Sequence, residues 1–124
     1  MSRRFHGAKS FAEKIGQGNW QPFGMAGLWE RWRNGDEDVL TCALITTDAN
    51  DTVSPVHDRM PVILPPSDFD LWLGPAPPEL GQLQALLRPY APEAMAATPV
   101  GFHVNNARFD DPMCIQPVQP QGKA

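Results

Sequence analysis

Fourteen prolines spread through 124 residues keep this chain from folding into long helices. Each proline lacks a backbone N–H and fixes its own φ, so helix interiors and central strands rarely contain one. An all-helical bundle is therefore excluded, and short elements joined by shaped loops are favoured. The strand patterns do not alternate regularly with helical patterns, which argues against a doubly wound parallel sheet. The residues predict a mixed, β-rich domain with two or three short helices.

Length and charge restrict the class further. A chain of 124 residues holds at most one domain, and a net charge of −4 gives no global attraction to nucleic acid or acidic membranes. Phosphate binding would therefore need a local basic patch. No apolar run approaches the roughly 20 residues of a membrane span, and the first residues, MSRRFHGAKSF, lack the apolar core of a signal peptide. We expect a cytoplasmic protein.

A β-hairpin is predicted in the first half of the chain. The segment Gly24–Trp32 is rich in aromatic residues and contains two glycines, which favours a strand over a helix. Asn34 and Gly35 follow, flanked by charged residues, and form a typical hairpin turn. We expect an antiparallel pair between Met25–Trp32 and Val39–Thr46.

Three ionisable residues, His57, Asp58 and Arg59, lie between two apolar runs, Ala43–Ile45 and Met60–Leu64. Histidine can act as an acid or a base near neutral pH, the adjacent carboxylate could orient the ring, and the arginine fork suits a phosphate. Such a cluster between two core strands would stand on a rigid support. The alternative interpretation is an ordinary solvated turn, and the triplet alone does not decide between them.

The second half predicts shorter elements. A first helix opens at Pro66 or Ser67 and carries Phe69, Trp72 and Leu73 on one face. The further predictions are a helix over Glu79–Leu87, a helical turn over Pro92–Met95, a strand over Val100–Val104 and a final strand over Met113–Gln116.

A metal site is not predicted, because His6, His57 and His103 are scattered and Cys42 and Cys114 lack ligand spacing. Two cysteines also cannot form a disulfide framework. Cys42 lies in a strand pattern and is expected to be a small buried hydrophobe. Cys114 lies in an apolar Met-Cys-Ile run, which favours a core cysteine over a nucleophile. No cofactor is expected.

Several segments together resemble a known family. In chain order they are GMAGLWERW from Gly24, TCALITTDAN from Thr41, VHDRMPVIL from Val56, LLRPYAPEAM from Leu86 and PVGFHVNNARFDDPMCIQP from Pro99. Their order and spacing resemble the C-terminal half of the SOS response-associated peptidase (SRAP) domain, over about Phe11 to Pro117. The resemblance implies an α+β fold with a β-rich mixed sheet or open barrel. It also implies one truncated domain over residues 1–124, with an ordered core at about 11–117.

The resemblance further implies a role at abasic sites in single-stranded DNA. In the family, an N-terminal cysteine forms a thiazolidine with the ring-opened sugar and so makes a DNA–protein cross-link. Autopeptidase and AP-lyase-like activities are also attributed to the family. Here His57 matches the family's active-site histidine, and Glu13, in SFAEK, matches its catalytic glutamate. Arg59 matches a DNA-phosphate contact and Thr46 a polar contact nearby. Glu13 and His57 would then move protons during imine formation and ring closure.

This sequence departs from the family at the nucleophile. It begins Met1-Ser2 where the family begins MCGR, and SFAEK lacks the tryptophan that normally follows the glutamate. The alternative is thus a non-catalytic remnant that acts as a DNA-binding or interaction module. With half a domain missing, Trp29 and Trp32 are candidates for an exposed aromatic face through which the chain would self-associate. Otherwise they would pack in the core, the interpretation that we favour over base stacking.

Overall fold

The computed structural model describes residues 12–74 and 78–119. The described residues form eight strands, two α-helices and four 3-10 helices, so the predicted α+β, strand-rich class is confirmed. The strands are β1 Ala12–Gln17, β2 Gly24–Met25, β3 Gly27–Asn34, β4 Glu37–Leu44, β5 Thr46–Asp48, β6 Arg59–Pro61, β7 Ile63–Leu64 and β8 Met95–Val100. The helices are α1 Phe69–Leu73 and α2 Leu80–Gln84, with 3-10 helices at Pro66–Asp68, Pro92–Ala94, Phe102–Asn105 and Pro112–Ile115.

The described strands pair two by two rather than in one mixed sheet. Every pair is antiparallel: β1 with β8, β2 with β7, β3 with β4, and β5 with β6. Three hydrogen bonds link these pairs at their centre. The Ala26 N–H donates to the Val62 carbonyl (2.8 Å), the Ile45 N–H to the Ala26 carbonyl (3.0 Å) and the Val62 N–H to the Ile45 carbonyl (2.9 Å). Because single residues make these links, the sheet is discontinuous and the described strands do not close a barrel.

Two small apolar clusters hold the pairs together. One joins Ala26, Val62, Leu64 and Leu86, and the partly buried side chains packed against it include those of α1. The other joins Val53, Met60 and Ile63, packed against Ile15 of β1 and Met95 of β8. The stretch from Met60 to Leu64 contributes to both clusters, because its residues are buried on both sides. The apolar run after the ionisable cluster is thus the central element of the fold, split into β6 and β7 at Val62.

The predicted hairpin is confirmed, but its bounds differ from Met25–Trp32 and Val39–Thr46, because Met25 pairs with Ile63 and Thr46 with Pro61. Its strands β3 and β4 are joined by Gly35 and Asp36 rather than by Asn34 and Gly35. Gly35 has a φ of +60°, the left-handed conformation that glycine adopts without steric cost, and stands first in the two-residue loop, as in a type II′ turn. Its two strands are exposed along nearly their whole length. Cys42 is therefore exposed, and the prediction that it is buried was wrong because no layer among the described residues covers the hairpin.

Trp29 and Trp32 point to opposite faces of this hairpin, because side chains alternate along a strand and the two differ by three positions. Trp29 pairs with Cys42 and Trp32 with Val39. Their exposed fractions are 75% and 48%, so the favoured prediction of core packing was wrong. The expectation of a single aromatic face needs correction too, since the two tryptophans lie on opposite faces.

The predicted strand over Val100–Val104 was wrong, because β8 ends at Val100 and Phe102–Asn105 is a 3-10 helix. The predicted strand over Met113–Gln116 was also wrong. That segment forms the 3-10 helix Pro112–Ile115, whose first residue is a proline and whose turn is capped by Asp111. Apolar residues in both segments had the short-run pattern that does not distinguish strands from tight helical turns.

The second predicted helix is shorter than Glu79–Leu87. Its α-helical part, α2, stops at Gln84, because the N–H groups of Leu86 and Leu87 donate to carbonyls only three residues earlier. Leu86 is nevertheless buried. In the first helix Phe69 and Trp72 face the core, whereas Leu73 is exposed, so the predicted shared face holds for only two of its three residues. The helical turn at Pro92 is confirmed. No helix in the described ranges is long and apolar enough to cross a membrane.

Candidate functional site

The ionisable cluster lies on a short hairpin built from β5 and β6. The register pairs Asp48 with Arg59, Thr47 with Met60 and Thr46 with Pro61. Directly paired residues share a face of the ribbon, so Met60 and Thr47 face the core while Thr46, Asp48 and Arg59 face outward. Burial agrees, since Met60 is buried and Arg59 exposed. The hairpin therefore anchors itself through one face and presents polar side chains on the other.

Arg59 is held by three hydrogen bonds across this hairpin. Its Nη1 donates to Asp48 Oδ1 at 2.9 Å, and its Nη2 donates to the Thr46 carbonyl oxygen at 3.0 Å and to Thr46 Oγ1 at 3.2 Å. The structure thus brings together Arg59 and Thr46, the two residues predicted to contact DNA. Asp48 was missed by sequence reasoning. The signal was the antiparallel register itself, which places position 48 opposite position 59.

His57 precedes β6 and remains exposed, with Nδ1 directed toward its own chain. The Arg59 backbone N–H donates to Nδ1 at 3.0 Å, and Nδ1 also lies 3.1 Å from the Arg59 carbonyl oxygen and 3.3 Å from Asp58 Oδ1. A neutral ring with its proton on Nε2 can accept from the N–H, and a ring with its proton on Nδ1, neutral or charged, can donate to either oxygen and leave Nε2 to exchange a proton. The ring therefore has a partner in both protonation states, and Nε2 has no hydrogen-bond partner among the described residues. This arrangement suits proton transfer through Nε2.

Asn50 fixes the loop that connects the two strands. It is 8% exposed. Its Oδ1 accepts from the N–H groups of Thr52 (3.1 Å) and Val53 (3.0 Å), and its Nδ2 donates to the Tyr90 carbonyl oxygen (2.7 Å). The His57 N–H in turn donates to the Val53 carbonyl at 3.0 Å. Asn50 was also missed, although an asparagine at the start of a polar turn is a known signal for side-chain bonds to the N–H groups two and three residues on.

Glu13 lies apart from this polar group. It is a half-buried residue of β1, opposite Pro99 of β8, and shares its face of the strand with Ile15, which packs on the Met60 cluster. No hydrogen bond or ion pair within the described ranges joins Glu13 to His57, Arg59 or Thr46. Of the four predicted site residues, Thr46, His57 and Arg59 lie together at the β5–β6 hairpin. Glu13 lies on a different strand pair. Met1 and Ser2 lie outside the described residues.

The charges of this group do not form the basic patch that phosphate binding was expected to need. Arg59 is flanked by the Asp48 carboxylate, and His57 by that of Asp58. Two carboxylates therefore balance one permanent cation and one titratable ring. A phosphate at Arg59 would have to share the guanidinium with Asp48 or displace that carboxylate.

Residues 7–107 match the family model described as SOS response associated peptidase (SRAP). The chain belongs to the SRAP family. The predicted resemblance is thereby confirmed over most of the chain, including the polar hairpin and β8. The extent of the domain, 1–124 with a core at about 11–117, stays a prediction.

Two SRAP relatives of this chain are abasic site processing proteins. The chain is 39% identical over 95 residues to the abasic site processing protein YoqW of Bacillus subtilis strain 168, covering 76% of this chain and 42% of the relative. It is 36% identical over 103 residues to the abasic site processing protein HMCES of Gallus gallus, covering 81% and 30%. The chain therefore spans less than half the length of these relatives.

A solved structure supports the fold. A protein from Bacteroides thetaiotaomicron superposes with a TM-score of 0.79 at 29% identity, covering 94% of this chain and 52% of that one. The fold of this SRAP chain is thus similar to the fold of about half of a larger protein.

Proposed function

We propose that this SRAP chain binds single-stranded DNA at abasic sites and forms or supports a DNA–protein cross-link there. The observation that carries the proposal is the outward face of the β5–β6 hairpin. On it Arg59 and Thr46 share hydrogen bonds, and His57 is tied to the Arg59 backbone. Family membership and the names of the relatives support the same assignment. A cytoplasmic location belongs to this proposal, as does the peptidase activity attributed to the family.

The roles follow from the chemistry of each group. Arg59 contacts a phosphate, and the Thr46 hydroxyl helps to hold the same anion. An amine that condenses with the sugar aldehyde releases water, and a proton must reach the departing oxygen. His57 supplies or takes that proton through Nε2, and Glu13 is the second proton-transfer group. An adduct formed at Ser2, which stands where the family has its cysteine, would be an imine or an oxazolidine rather than a thiazolidine.

Cross-linking to an oligonucleotide with one abasic site tests the proposal. Borohydride reduces an imine to a stable amine, so the covalent band should require borohydride and weaken in H57Q and E13Q. Binding to the same oligonucleotide should weaken in R59A, and the salt dependence should fall by about one unit of slope. Arg88→Ala is the matched control, because Arg88 is an exposed arginine that does not belong to the hairpin.

The alternative, a non-catalytic DNA-binding remnant, predicts the R59A effect without any covalent band. If high protein concentration gives no covalent band and no salt-sensitive binding, both versions are wrong. A band of equal intensity in H57Q would keep the cross-link and exclude the proton-transfer role of His57.

A second candidate function is self-association through the β3–β4 hairpin, and one observation favours it. The face that carries Trp29 also carries Leu40 and Leu44 and continues into an apolar cavity of about 400 Å³, lined further by Phe69 and Trp72. Trp29 is 75% exposed and Leu40 69%. Exposed apolar surface of this kind marks interaction sites, and on this face it is bordered by the charged residues Arg31, Arg33 and Asp38. We infer that a second copy covers the Trp29 face.

Sedimentation over a wide concentration range tests self-association. We expect a concentration-dependent dimer that persists in high salt, is disrupted in W29S, and is little changed in W32S, because Trp32 lies on the opposite face. A monomer at all concentrations, or disruption by W32S alone, would contradict it.

A further inference from the structure

A second cluster of chemically reactive side chains lies outside the polar hairpin, in the loop that follows β8. His103, Asp111 and Cys114 place one nitrogen, one oxygen and one sulfur within 4.8 Å of one another. The His103 Nε2 lies 2.9 Å from Asp111 Oδ2. The cluster has no part in the function proposed above. Asp111 and Cys114 also lie beyond residue 107, where the match to the family model ends.

The fold brings the three residues together by closing the loop at both ends. Val100, the last residue of β8, forms a bridge with Pro117, and the Val118 N–H donates to the Pro99 carbonyl at 2.9 Å. Within the closed loop, the 3-10 helix that carries His103 packs against the one that carries Cys114. The spacing of the histidines and cysteines does not predict this cluster, because it takes no account of Asp111 or of the loop closure.

Several contacts fix the orientation of the donors before any ligand arrives. The His103 ring stacks on Phe109, with centroids 4.0 Å apart and planes 4° from parallel. Asp111 Oδ1 accepts from the Met113 N–H at 2.9 Å, which leaves Oδ2 directed at His103. Cys114 Sγ lies 3.7 Å from the Phe109 carbonyl oxygen, to which the thiol donates. Contacts of this kind orient metal ligands.

We propose that His103, Asp111 and Cys114 bind a borderline divalent transition-metal ion, of which Zn²⁺ is the representative. A tetrahedral zinc ion bonds nitrogen and oxygen at roughly 2.0–2.2 Å and sulfur at about 2.3 Å. Its donors then lie roughly 3.3–3.6 Å apart, a separation that this cluster reaches with small movements. The metal enters between Nε2 and Oδ2, and the hydrogen bond between them opens by a few tenths of an ångström.

The donor set determines which ions fit. A thiolate with an imidazole selects zinc, cobalt or copper over magnesium or calcium, which prefer oxygen ligands throughout. Three protein donors leave one position open to water, since His103 and Asp111 are both partly exposed. Binding requires the thiolate, so the Cys114 proton would be released to solvent when the Sγ–metal bond forms. The proton that His103 Nε2 donates to Asp111 in the free site would also have to leave Nε2, so that the ring coordinates as the neutral tautomer with its proton on Nδ1. The bound ion would cross-link the loop that borders β1.

Titration of the full chain with Co²⁺ tests the site, because cobalt bound to a thiolate gives a near-ultraviolet charge-transfer band and four-coordinate cobalt gives intense visible bands. We expect saturation at one ion per chain, loss of the charge-transfer band in C114S, and affinity in H103Q and D111N reduced by at least the roughly 10–100-fold that loss of an outer-shell partner costs. Cys42→Ser is the matched control, because it removes the other cysteine and should leave the spectrum unchanged.

Zn²⁺ should displace the cobalt and raise the thermal unfolding midpoint of the wild type but not of C114S. The proposal is overturned by a folded wild type that shows no band in excess cobalt, by a band lost in C42S, or by undiminished affinity in H103Q. If C114S fails to fold by circular dichroism, H103Q and D111N carry the decision alone.

Discussion

The Arg59 guanidinium donates to the Asp48 carboxylate across two paired strands, with 2.9 Å between Nη1 and Oδ1. The residue proposed to hold a DNA phosphate is therefore paired with an anion of its own chain. Its second nitrogen, Nη2, is occupied by Thr46. This pairing fixes the direction of the guanidinium and also weakens the attraction that a phosphate would feel.

Removal of the Asp48 charge should strengthen DNA binding. In D48N the amide keeps the shape of the side chain and leaves the guanidinium available, so we expect single-stranded DNA to bind about two- to fivefold more tightly at moderate salt, in proportion to the small energy of an exposed ion pair. Fluorescence anisotropy measures the effect. Asp51→Asn removes the same charge from the exposed turn nearby. An equal gain in D51N would assign the effect to net charge rather than to Arg59.

Asn50 should be the most sensitive polar residue of the site. The change N50A removes the side-chain acceptor of two loop N–H groups and the donor to the Tyr90 carbonyl. The Val53 N–H keeps the Asn50 backbone carbonyl as a partner at 3.2 Å, whereas the Thr52 N–H and the Tyr90 carbonyl are left unpaired. We expect a loss of about 2–4 kcal/mol in the free energy of unfolding, measured by urea denaturation. Asn19→Ala is the control, because Asn19 makes a similar bond to the Gln21 N–H in an exposed turn. A comparable loss in both variants would show that burial of Asn50 is unimportant.

Two glycines should respond in opposite directions to the same substitution. A Cβ at Gly24 would lie 2.9 Å from Phe69 Cε1, in a ring packed against the core, so G24A should lose about 1–3 kcal/mol of stability. Gly81 lies in α2, and a Cβ added there would meet no atom from outside the helix within 4 Å. G81A should therefore gain about 0.5–1 kcal/mol of stability from reduced unfolded-state freedom and better helix propensity. Thermal and urea denaturation measure both. Equal stability of G24A and wild type would mean that Phe69 moves freely.

Acid should loosen the β3–β4 hairpin. The Arg31 guanidinium bonded to Asp38 lowers the pKa of that carboxyl below its ordinary 3.8. Because the pKa is lower in the folded state, the ionised Asp38 stabilises the folded hairpin fully above the unfolded-state pKa. This stabilisation is lost as the pH falls through the folded-state pKa, which lies below about pH 4. Amide-exchange protection of β3 and β4 should therefore decrease in that range. In D38N it should be lower at neutral pH and show no such step.

The sequence predicted the features that depend on local chemistry. The β3–β4 hairpin followed from its aromatic residues and the turn at Gly35, which needs a positive φ that few other residues tolerate. The helical turn at Pro92 followed from proline at a first helical position. The closeness of Thr46 and Arg59 was implied by family resemblance. The first two predictions agree with the structure because each rests on a local preference that tertiary contacts do not override.

Features that depend on distant contacts were not predicted. The segment after β8 has the apolar residues of a strand, yet it forms 3-10 turns because a loop closed between Val100 and Pro117 leaves no partner strand for them. The exposure of Trp29 could not be read from its own neighbourhood, since burial depends on which layers surround the hairpin. The Asp48 partner of Arg59 required the register of a hairpin whose loop spans ten residues, 49–58.

The strand pairs described above differ widely in how far along the chain their partners lie. Asn34 pairs with Glu37, whereas Ala12 pairs with Val100. The entropy lost on closing a loop grows with its length, and distant pairings slow folding. The β3–β4 hairpin should therefore form early, and the β1–β8 pair should form last. Glu13, which β1 carries, would then reach its place only in the final folding step, after the polar hairpin that it is proposed to assist.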